Sequence, residues 1–289
     1  MTLPLAPGAR QPDGPVWVNG RIVRGEDAAL SVFDRGARDG GGIFETLRVY
    51  GREPFAWTRH MERLVLAAAE LGFPVPPTPA SMREGVAELL EELALDDAVA
   101  RITVTRGIAG GRPTRTGAWI EVQPIGARLW RGTRRGAATA MVSPLVFDLG
   151  WMGAYKTTSR MAWDLAREQA LAAGVDEALL VSSAGELLEG SASNLFVVRG
   201  REVITPPLAS RVLPGVTRAI ALELCAALGM AAREARLEVA DLATADEVFV
   251  TNSVQEILPL ARVAGRDLPA RDVGSRLLAA YRERVAASR

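Results

Sequence analysis

Short runs of apolar residues, several of them alternating with polar residues, dominate the first 123 residues of the chain, and such runs predict β-strands. Val16–Val23 divides into two short strands around Asn19-Gly20, a dipeptide that favours a tight hairpin turn. Three further runs predict strands: Ile43–Tyr50, Ala100–Arg106 and Ala118–Gln123. A sheet is therefore expected in this region, and its last two strands flank a long cationic loop at Gly107–Gly117.

Apolar residues at helical spacing predict helices between these strands and again in the second half of the chain. Thr58 is the expected cap of a helix Arg59–Leu71 that ends at Gly72, and Ser81–Leu93 predicts another helix. In the second half, strands are expected at Ala137–Val142, Glu177–Val181, Asn194–Val198 and Glu247–Thr251, and helices at Arg160–Ala173, Thr217–Leu228 and Arg271–Ala287. Because Pro, Gly and Arg interrupt the pattern at 124–136, we predict a small α/β domain at 1–123, a linker at 124–136 and a larger α/β domain at 137–289.

The composition is typical of a soluble globular protein with a small ligand. The 289 residues are 48% hydrophobic, and 34 acidic residues balance 34 basic ones. This balance favours neither a nucleic-acid partner nor a membrane surface. No secretion signal or membrane span is evident, so we expect a cytoplasmic protein. With one cysteine, Cys225 in an apolar helix-like run, and one histidine, we expect a buried thiol and no transition-metal site.

The basic residues are unusual, because Lys156 is the only lysine among the 34 basic side chains. A desolvated lysine amine can lose its proton and attack a carbonyl carbon, whereas an arginine guanidinium stays charged. Either position 156 requires an amine, or a genomic bias towards arginine left one surface lysine by chance. The residue count favours neither interpretation, so the neighbouring motifs must decide.

Four segments carry polar residues that suit a ligand site. Gly153–Ser159 places Lys156 between an irregular stretch and a helix, where its side chain can face a cleft. Glu189–Asn194 follows a carboxylate with small and polar residues, and Val250–Val254 ends a strand with three polar residues. Leu213–Arg218 sets Pro-Gly before a helix whose first amides, with the Thr217 hydroxyl, can bind a phosphate. Each segment alone is more commonly structural.

In their order and spacing these segments resemble the class IV aminotransferases, the fold-type-IV pyridoxal-phosphate enzymes that include branched-chain and D-amino-acid aminotransferases and aminodeoxychorismate lyase. The resemblance covers about residues 16 to 268. The matching motifs are Asn19-Gly20, Asp34-Arg-Gly36, Gly40–Thr46, His60–Leu64, Lys156–Ser159, Asp176–Leu180, Glu189–Phe196, Leu213–Arg218 and Thr251–Ser253 with Pro259. The resemblance implies a two-domain α/β (α+β) fold, with a small N-terminal domain, a larger C-terminal cofactor-binding domain and pyridoxal 5′-phosphate at the domain interface.

The resemblance also implies roles for individual residues. Lys156 matches the lysine that forms the internal aldimine and carries a proton between substrate and cofactor. Glu189 matches the carboxylate that keeps the pyridine nitrogen protonated, so that the ring accepts electrons. The other implied cofactor contacts are Arg63, Val216, Thr217 and Ser253 at the phosphate, Leu213 on the ring face, and Ser193 and Asn194 as supports.

The implied substrate pocket departs from the family pattern. Asp39–Gly42 stands where many members have an aromatic residue and then Gly-Asp-Gly or Gly-Thr-Ser, and Arg160-Met161 stands where some have a tyrosine. An arginine fork binds a carboxylate at two points, although a solvated loop charge is equally compatible with each candidate arginine. The substrate-binding candidates are Phe44, Arg101, Arg112, Arg115 and Val254, of which Phe44 also suits the core, and a packing role is expected for His60.

The implied activity is transfer of an amino group from a D-amino acid or a branched-chain amino acid to a 2-oxo acid. Aminodeoxychorismate lyase, which forms 4-aminobenzoate and pyruvate, needs the same cofactor contacts and is the alternative. A non-catalytic α/β binding protein, in which Lys156 is incidental, is a third hypothesis. The resemblance further implies a homodimer in which Arg35–Asp39 and Gly107–Arg115 complete the partner's site.

Overall fold

The computed structural model describes residues 13–74, 76–108 and 117–289, and these residues pack into two compact units. Unit 1 holds the described residues up to Arg128 together with Lys156–Ser159 and Arg289, and unit 2 holds Leu129–Tyr155 and Arg160–Ser288. The chain thus leaves unit 2 for four residues, and the lysine belongs to unit 1. Whether 1–123 and 137–289 also fold as separate domains joined by a linker at 124–136 stays a prediction.

Antiparallel pairing builds the sheet of unit 1. Its strands are β1 (Val16–Val18), β2 (Arg21–Val23), β3 (Gly42–Tyr50), β4 (Glu53–Pro54), β5 (Ala98–Thr105) and β6 (Ala118–Pro124). Among the described residues they form a six-stranded sheet in the order β2-β1-β6-β5-β3-β4. The predicted hairpin is confirmed, because Asn19 and Gly20 both have positive φ, 48° and 98°, as the tight turn between β1 and β2 requires.

Helices of unit 1 pack against this sheet. They are α1 (Arg35–Asp39), α2 (Trp57–Glu70), α3 (Pro79–Glu92) and α4 (Ile125–Arg128). Alternation along β3 buries Leu47 and Val49, and α2 contributes the buried Leu64. The predicted cap at Thr58 is wrong: α2 begins at Trp57 after Ala56, which has a φ of 54° and forms no side-chain cap. The chain enters this helix through a left-handed residue.

Unit 2 contains a mixed sheet. Its strands are β7 (Ala138–Val146), β8 (Glu177–Val181), β9 (Glu186–Gly190), β10 (Asn194–Arg199), β11 (Glu202–Thr205), β12 (Ala231–Glu234), β13 (Leu237–Glu238), β14 (Glu247–Asn252), β15 (Glu256–Val263) and β16 (Arg266–Asp267). Nine of these described strands run in the order β12-β11-β10-β14-β15-β7-β8-β9-β13, and β16 pairs with β15. The predicted strands β7, β8, β10 and β14 are confirmed, and β7 pairs in parallel with both β8 and β15.

Helices α5 (Arg131–Arg135), α6 (Met161–Ala172), α7 (Val216–Ala227) and α8 (Asp272–Ala287) complete unit 2. Cys225 of α7 is fully buried, and burial raises the pKa of its thiol to about 11, so the thiol is unreactive as predicted. Within the part of the chain that the structure describes, no helix combines the length and apolar character needed to cross a membrane.

Candidate active site

The segment that carries the lysine lies beside the start of β3. The Phe44 amide donates a hydrogen bond to the Lys156 carbonyl at 2.9 Å, and the Thr158 amide donates to the Gly42 carbonyl at 2.8 Å. Ile43 and Thr157 form an antiparallel bridge between these bonds. The lysine backbone is therefore held as a short additional strand on the sheet of unit 1, and Lys156 is only partly exposed.

Small residues on β3 and before it allow this close approach. A methyl group added to Gly40 would lie 2.5 Å from the Ser159 Oγ atom, and one added to Gly42 would lie 2.7 Å from the Thr158 Oγ1 atom. Both hydroxyls donate hydrogen bonds of 3.0 Å to the Gly40 carbonyl. The run Asp39–Gly42, which the sequence places in an altered pocket wall, thus lies against the segment that carries Lys156.

The Phe44 ring is contacted by two cations. The Lys156 Nζ atom lies 4.7 Å from the ring centroid, and the Arg101 Cζ atom lies 3.7 Å from it. Arg101 reaches the ring because Thr46, two residues along β3, pairs with Arg101 of β5. An amine and a guanidinium therefore share one aromatic surface, which is the arrangement that an amino-acid ligand with its carboxylate requires.

On the opposite face of β3, Glu45 points towards α2. The Arg63 Nε and Nη2 atoms donate to the two carboxylate oxygens of Glu45 at 2.7 and 2.6 Å. The Nδ1 atom of His60, one helical turn before Arg63, lies 2.7 Å from the Oε2 atom of the same carboxylate. Sequence reasoning missed Glu45; an acidic residue inside an apolar strand was the available signal.

These contacts fix the protonation states of the cluster. Burial raises the pKa of Glu45, but the Arg63 charge and the His60 hydrogen bond outweigh it and hold the pKa at about 2. Burial lowers the pKa of His60 and outweighs the opposing attraction of Glu45. Glu45 is therefore an anion at neutral pH, and His60 is a neutral imidazole that donates its Nδ1 hydrogen to that anion.

In unit 2, Glu189 is buried at the end of β9, with 6% of its surface exposed. It accepts hydrogen bonds from the Leu213 amide at 3.0 Å and from the Asn194 Nδ2 atom at 3.3 Å. Asn194 Nδ2 also donates to the Leu213 carbonyl at 2.9 Å, which ties the two predicted ligand-binding segments together. A buried carboxylate in this position can accept a hydrogen bond from a protonated ring nitrogen.

A second buried carboxylate, Glu177 of β8, organises the loop after Glu189. It accepts hydrogen bonds from the Ser193 Oγ atom at 2.7 Å and from the amides of Ser191 and Ala192 at 3.2 and 3.3 Å. Ser193 thus lies against Glu177, a partner that sequence reasoning did not identify. This loop needs the small residue Gly190, since a methyl group there would lie 2.2 Å from the Ser193 Oγ atom.

Arg160, at the position where some family members have a tyrosine, closes over the same loop. Its Nη2 atom donates to the Ser191 carbonyl at 2.5 Å. Burial lowers the pKa of Arg160, and the charges of Asp164, Glu189 and Glu177 oppose that effect. The arginine side chain therefore adds positive charge near Glu189 and does not supply a phenol.

The start of α7 supplies anion-binding groups. Gly215 precedes the helix as its N-cap and has no side chain with which to bind the first helix amides. The first helical residues, Val216 and Thr217, are buried, and the position of Asn194 excludes any larger residue at 215, where a methyl group would lie 1.9 Å from its Oδ1 atom. The predicted phosphate contacts at Val216 and Thr217 therefore lie beside the support of Glu189.

The turn between β14 and β15 holds the remaining predicted contacts in unit 2. Asn252 Oδ1 accepts hydrogen bonds from the amides of Val254 and Gln255 at 2.9 and 2.7 Å, which shapes the turn around Ser253. Thr251, paired with Asn194 across the strands, has a buried hydroxyl without a hydrogen-bond partner among the described residues. This hydroxyl is available to a water molecule or to another polar group beside Asn194.

Each unit, taken by itself, holds groups that suit pyridoxal phosphate. The first unit has a lysine amine and an arginine; the second has a buried carboxylate, helix-start amides after a glycine, and the Thr217 hydroxyl. Within the ranges that the structure describes, no cluster of three or more histidine, cysteine or acidic residues is arranged to hold a metal ion. Arg112 and Arg115, two of the carboxylate candidates, lie outside the described residues.

Comparisons with known proteins agree with this chemistry. Residues 42–263 match the family described as Amino-transferase class IV. The chain is 33% identical over 271 residues to a putative branched-chain-amino-acid aminotransferase of Methanocaldococcus jannaschii, with 90% of this chain and 91% of the relative covered. It is 28% identical over 260 residues to a D-alanine aminotransferase of Bacillus licheniformis, with 88% and 89% covered.

A solved structure gives the same result for the fold. The branched-chain aminotransferase of the archaeon Thermoproteus uzoniensis, solved with norvaline, aligns with a TM-score of 0.84 at 27% identity, and 94% of each chain is covered. The family match spans more than half of the sequence. The predicted family, mixed α/β fold, cofactor and enzyme class are confirmed: the chain belongs to the class IV aminotransferases, the fold-type-IV transaminases that use pyridoxal phosphate.

Proposed function

We propose that Lys156 is the catalytic amine and that Arg101 binds the carboxylate of the amino-acid substrate. The observation that carries this proposal is the contact of both side chains with the Phe44 ring, at 4.7 and 3.7 Å. A substrate amino acid has its amine and its carboxylate on one carbon atom. A cation close to the lysine amine therefore suits the carboxylate of a substrate whose amine replaces that lysine.

Pyridoxal phosphate, when bound, supplies the carbonyl carbon that accepts the amino group and the ring that delocalises the electron pair left on the substrate. The chain's residues do the rest. Lys156, once its amine is released, removes the proton from the substrate Cα and returns it to the carbon atom that was the carbonyl carbon of the cofactor. Glu189 holds the proton at the pyridine nitrogen, supported by Asn194, while Ser193 anchors the neighbouring loop to Glu177. The Leu213 side chain packs against the ring.

By the resemblance to the family, Arg63, Val216, Thr217 and Ser253 are proposed to bind the phosphate. The first amides of α7 and the Thr217 hydroxyl suit an anion, because they lie at the positive end of a helix whose N-cap is a glycine. Val254, beside Ser253 in a rigid turn, is placed at the substrate together with Phe44. These assignments extend the family match residue by residue.

The amino donor is proposed to be a D-amino acid or a branched-chain amino acid, since the named relatives include both kinds of aminotransferase. Mixing the cofactor-loaded protein with D-alanine and, separately, with L-leucine tests this directly. We expect one donor to convert the cofactor to its amine form. The conversion is measured by loss of the absorption band of the lysine-bound cofactor, near the violet edge of the visible spectrum, and by formation of the 2-oxo acid. Release of pyruvate from aminodeoxychorismate, without conversion by either amino acid, would support the lyase instead.

Substitution of Arg101 by Leu tests the carboxylate assignment. If Arg101 binds the α-carboxylate, KM rises for every amino donor by roughly 10- to 100-fold, because a charged hydrogen bond is lost. If KM rises only for donors with a second carboxylate, Arg101 binds the distal group instead. Arg48→Leu is the matched control, since Arg48, on the adjacent strand β3, also lies over an aromatic ring, that of Tyr50 at 4.5 Å. We expect its kinetics to stay near those of the wild type.

A homodimer is proposed on the basis of an exposed apolar patch formed by Leu30, Val32, Phe33 and Ile108. Val32 and Phe33 are 75% and 65% exposed, and Ile108 bridges to Asp34 directly beside them. Such a continuous apolar patch is typical of a protein interface. Phe33→Asp should shift the mass in solution to that of the monomer, whereas Leu66→Asp on the exposed side of α2 should leave it unchanged. The cytoplasmic location expected from the sequence stays a prediction.

A further inference from the structure

Glu45 has no part in the roles assigned so far, yet it lies at the centre of the cluster formed with His60 and Arg63. Both carboxylate oxygens bind the Nε–Nη2 edge of the Arg63 guanidinium, and His60 holds one of those oxygens. We propose that Glu45 is a positioning residue, which with His60 fixes the orientation of Arg63 towards the cofactor phosphate. This inference rests on the proposed assignment of Arg63 to the phosphate.

The geometry of a two-point contact supports this role. An arginine side chain has many rotamers, and ordering it costs free energy each time a ligand binds. Two parallel hydrogen bonds to Glu45 fix both the plane of the guanidinium and its direction before any ligand arrives. His60 and Arg63 lie on the same face of α2, so the carboxylate, the imidazole and the guanidinium are fixed against one helix.

The position of Glu45 on β3 adds a second argument. Phe44 and Glu45 are neighbours, and alternation sends Phe44 to the face where its ring contacts Lys156 and sends Glu45 to the face where it binds Arg63. Two adjacent residues of β3 therefore contact the lysine amine and the arginine assigned to the phosphate. The strand thus fixes the spacing of two groups that must reach neighbouring substituents of one cofactor ring.

The net charge of the cluster makes the proposal testable, because attraction by charge and orientation of Arg63 predict opposite changes in phosphate affinity. Arg63 and Glu45 form a neutral pair, and His60 is uncharged, so the cluster itself has no net charge for attracting a phosphate. Replacing Glu45 by Gln adds net positive charge but removes the two-point contact. If attraction by net charge dominates, phosphate binds more tightly to the variant; if orientation dominates, it binds more weakly.

The experiment measures dissociation constants of the cofactor-free protein for pyridoxal phosphate and for pyridoxal, which lacks the phosphate. For Glu45→Gln we expect pyridoxal phosphate to bind roughly 10- to 100-fold more weakly, because hydrogen bonds to a charged group are lost, with pyridoxal unchanged. His60→Leu keeps the charge and should give a smaller loss of the same kind. In an Arg63→Gln background, Glu45→Gln should have no further effect.

Glu247→Gln is the matched control, because Glu247 is also a buried carboxylate but accepts hydrogen bonds from the Val273 and Gly274 amides of α8. It should lower the melting temperature without changing the preference for pyridoxal phosphate over pyridoxal. Equal or tighter binding of pyridoxal phosphate by Glu45→Gln, or an equal loss for both ligands, would overturn the inference. If Arg63→Gln itself leaves phosphate binding unchanged, the assignment of Arg63 fails instead.

Discussion

Two buried carboxylates, Glu45 in unit 1 and Glu189 in unit 2, are held in contrasting ways. Glu45 accepts two hydrogen bonds from the Arg63 guanidinium and one from His60. Glu189 accepts hydrogen bonds from the Leu213 amide and the Asn194 side-chain amide, with the Arg160 charge nearby. A carboxylate that an arginine binds at two points is fixed in place, whereas one bound by two amides can also accept a hydrogen bond from a ligand.

The contrast assigns the two residues to different steps. Glu45 is expected to affect how tightly the cofactor phosphate binds, since it acts through Arg63. Glu189 is expected to affect how fast the bound cofactor reacts, since it acts on the protonated ring nitrogen. Substitution of each carboxylate by its amide therefore separates binding from chemistry.

The largest effect is expected for Glu189→Gln, which cannot hold a proton on the pyridine nitrogen. We expect kcat to fall by roughly 100-fold or more, in the range seen when a charged group is removed from a reacting centre. The dissociation constant for pyridoxal phosphate should change little, because the phosphate contacts are intact. Single-turnover rates and cofactor titrations measure the two quantities separately. A variant that reacts at the wild-type rate once saturated with cofactor would contradict this role.

A smaller effect is expected for Asn194→Leu, which removes a neutral donor from Glu189 and a tie to the Leu213 carbonyl. We expect kcat to fall about tenfold, because one hydrogen bond that positions the carboxylate is lost. Asn252→Leu, which loses a bond to the Ala192 carbonyl, is a comparison at the neighbouring loop. If Asn194→Leu changes only the melting temperature, Asn194 supports the fold and not Glu189.

The smallest effect on activity, but a distinct one on stability, is expected from the ionisation of Glu45. Its pKa is lowered from 4.5 to about 2, so its charge stabilises the folded state by about 3 kcal/mol at pH values above 4.5. That contribution is lost as pH falls from 4.5 through about 2. The difference in unfolding free energy between the wild type and Glu45→Gln should therefore shrink over that range, measured by urea unfolding.

The groups around Glu45 set this pH dependence. Burial, with the charges of Arg63 and Lys156, lowers the pKa of His60 against the attraction of Glu45, so His60 gains a proton only below its ordinary range. The unfolded chain therefore binds more protons than the folded protein at acidic pH. Protonation of Glu45 and of His60 thus destabilises the fold at low pH. A difference between the two proteins that stays constant from pH 7 to pH 3 would contradict the ion pair.

The sequence predicts much of the architecture, because apolar runs of strand length and helix caps leave local signals. The Asn19-Gly20 hairpin and the end of α2 at Gly72 depend on a few adjacent residues, and both are confirmed. β15 is missed because Pro259 interrupts its pattern, and β12 is missed because its four residues are all exposed. A strand that depends only on pairing with its neighbours leaves no local pattern in the sequence.

Site residues that belong to sequence motifs can be predicted from the sequence. Contacts between segments that are distant in the sequence cannot. Lys156 and Glu189 stand in motifs that the sequence itself displays, and both lie within the matched residues 42–263. The pairing of the lysine segment with the start of β3 joins residues more than 100 positions apart, and no local signal indicates it. The roles of Glu45 and Glu177 are missed for the same reason, since each takes its meaning from partners on other elements.

One measurement tests the central claim, that the single lysine is the amine that holds the cofactor. The protein loaded with pyridoxal phosphate is treated with borohydride, digested and mapped by mass spectrometry, with Lys156→Ala as control. We expect one phosphopyridoxyl group per chain, on the peptide that contains Lys156, and none on the variant. A wild-type protein that binds the cofactor but carries no label at Lys156 would contradict the account.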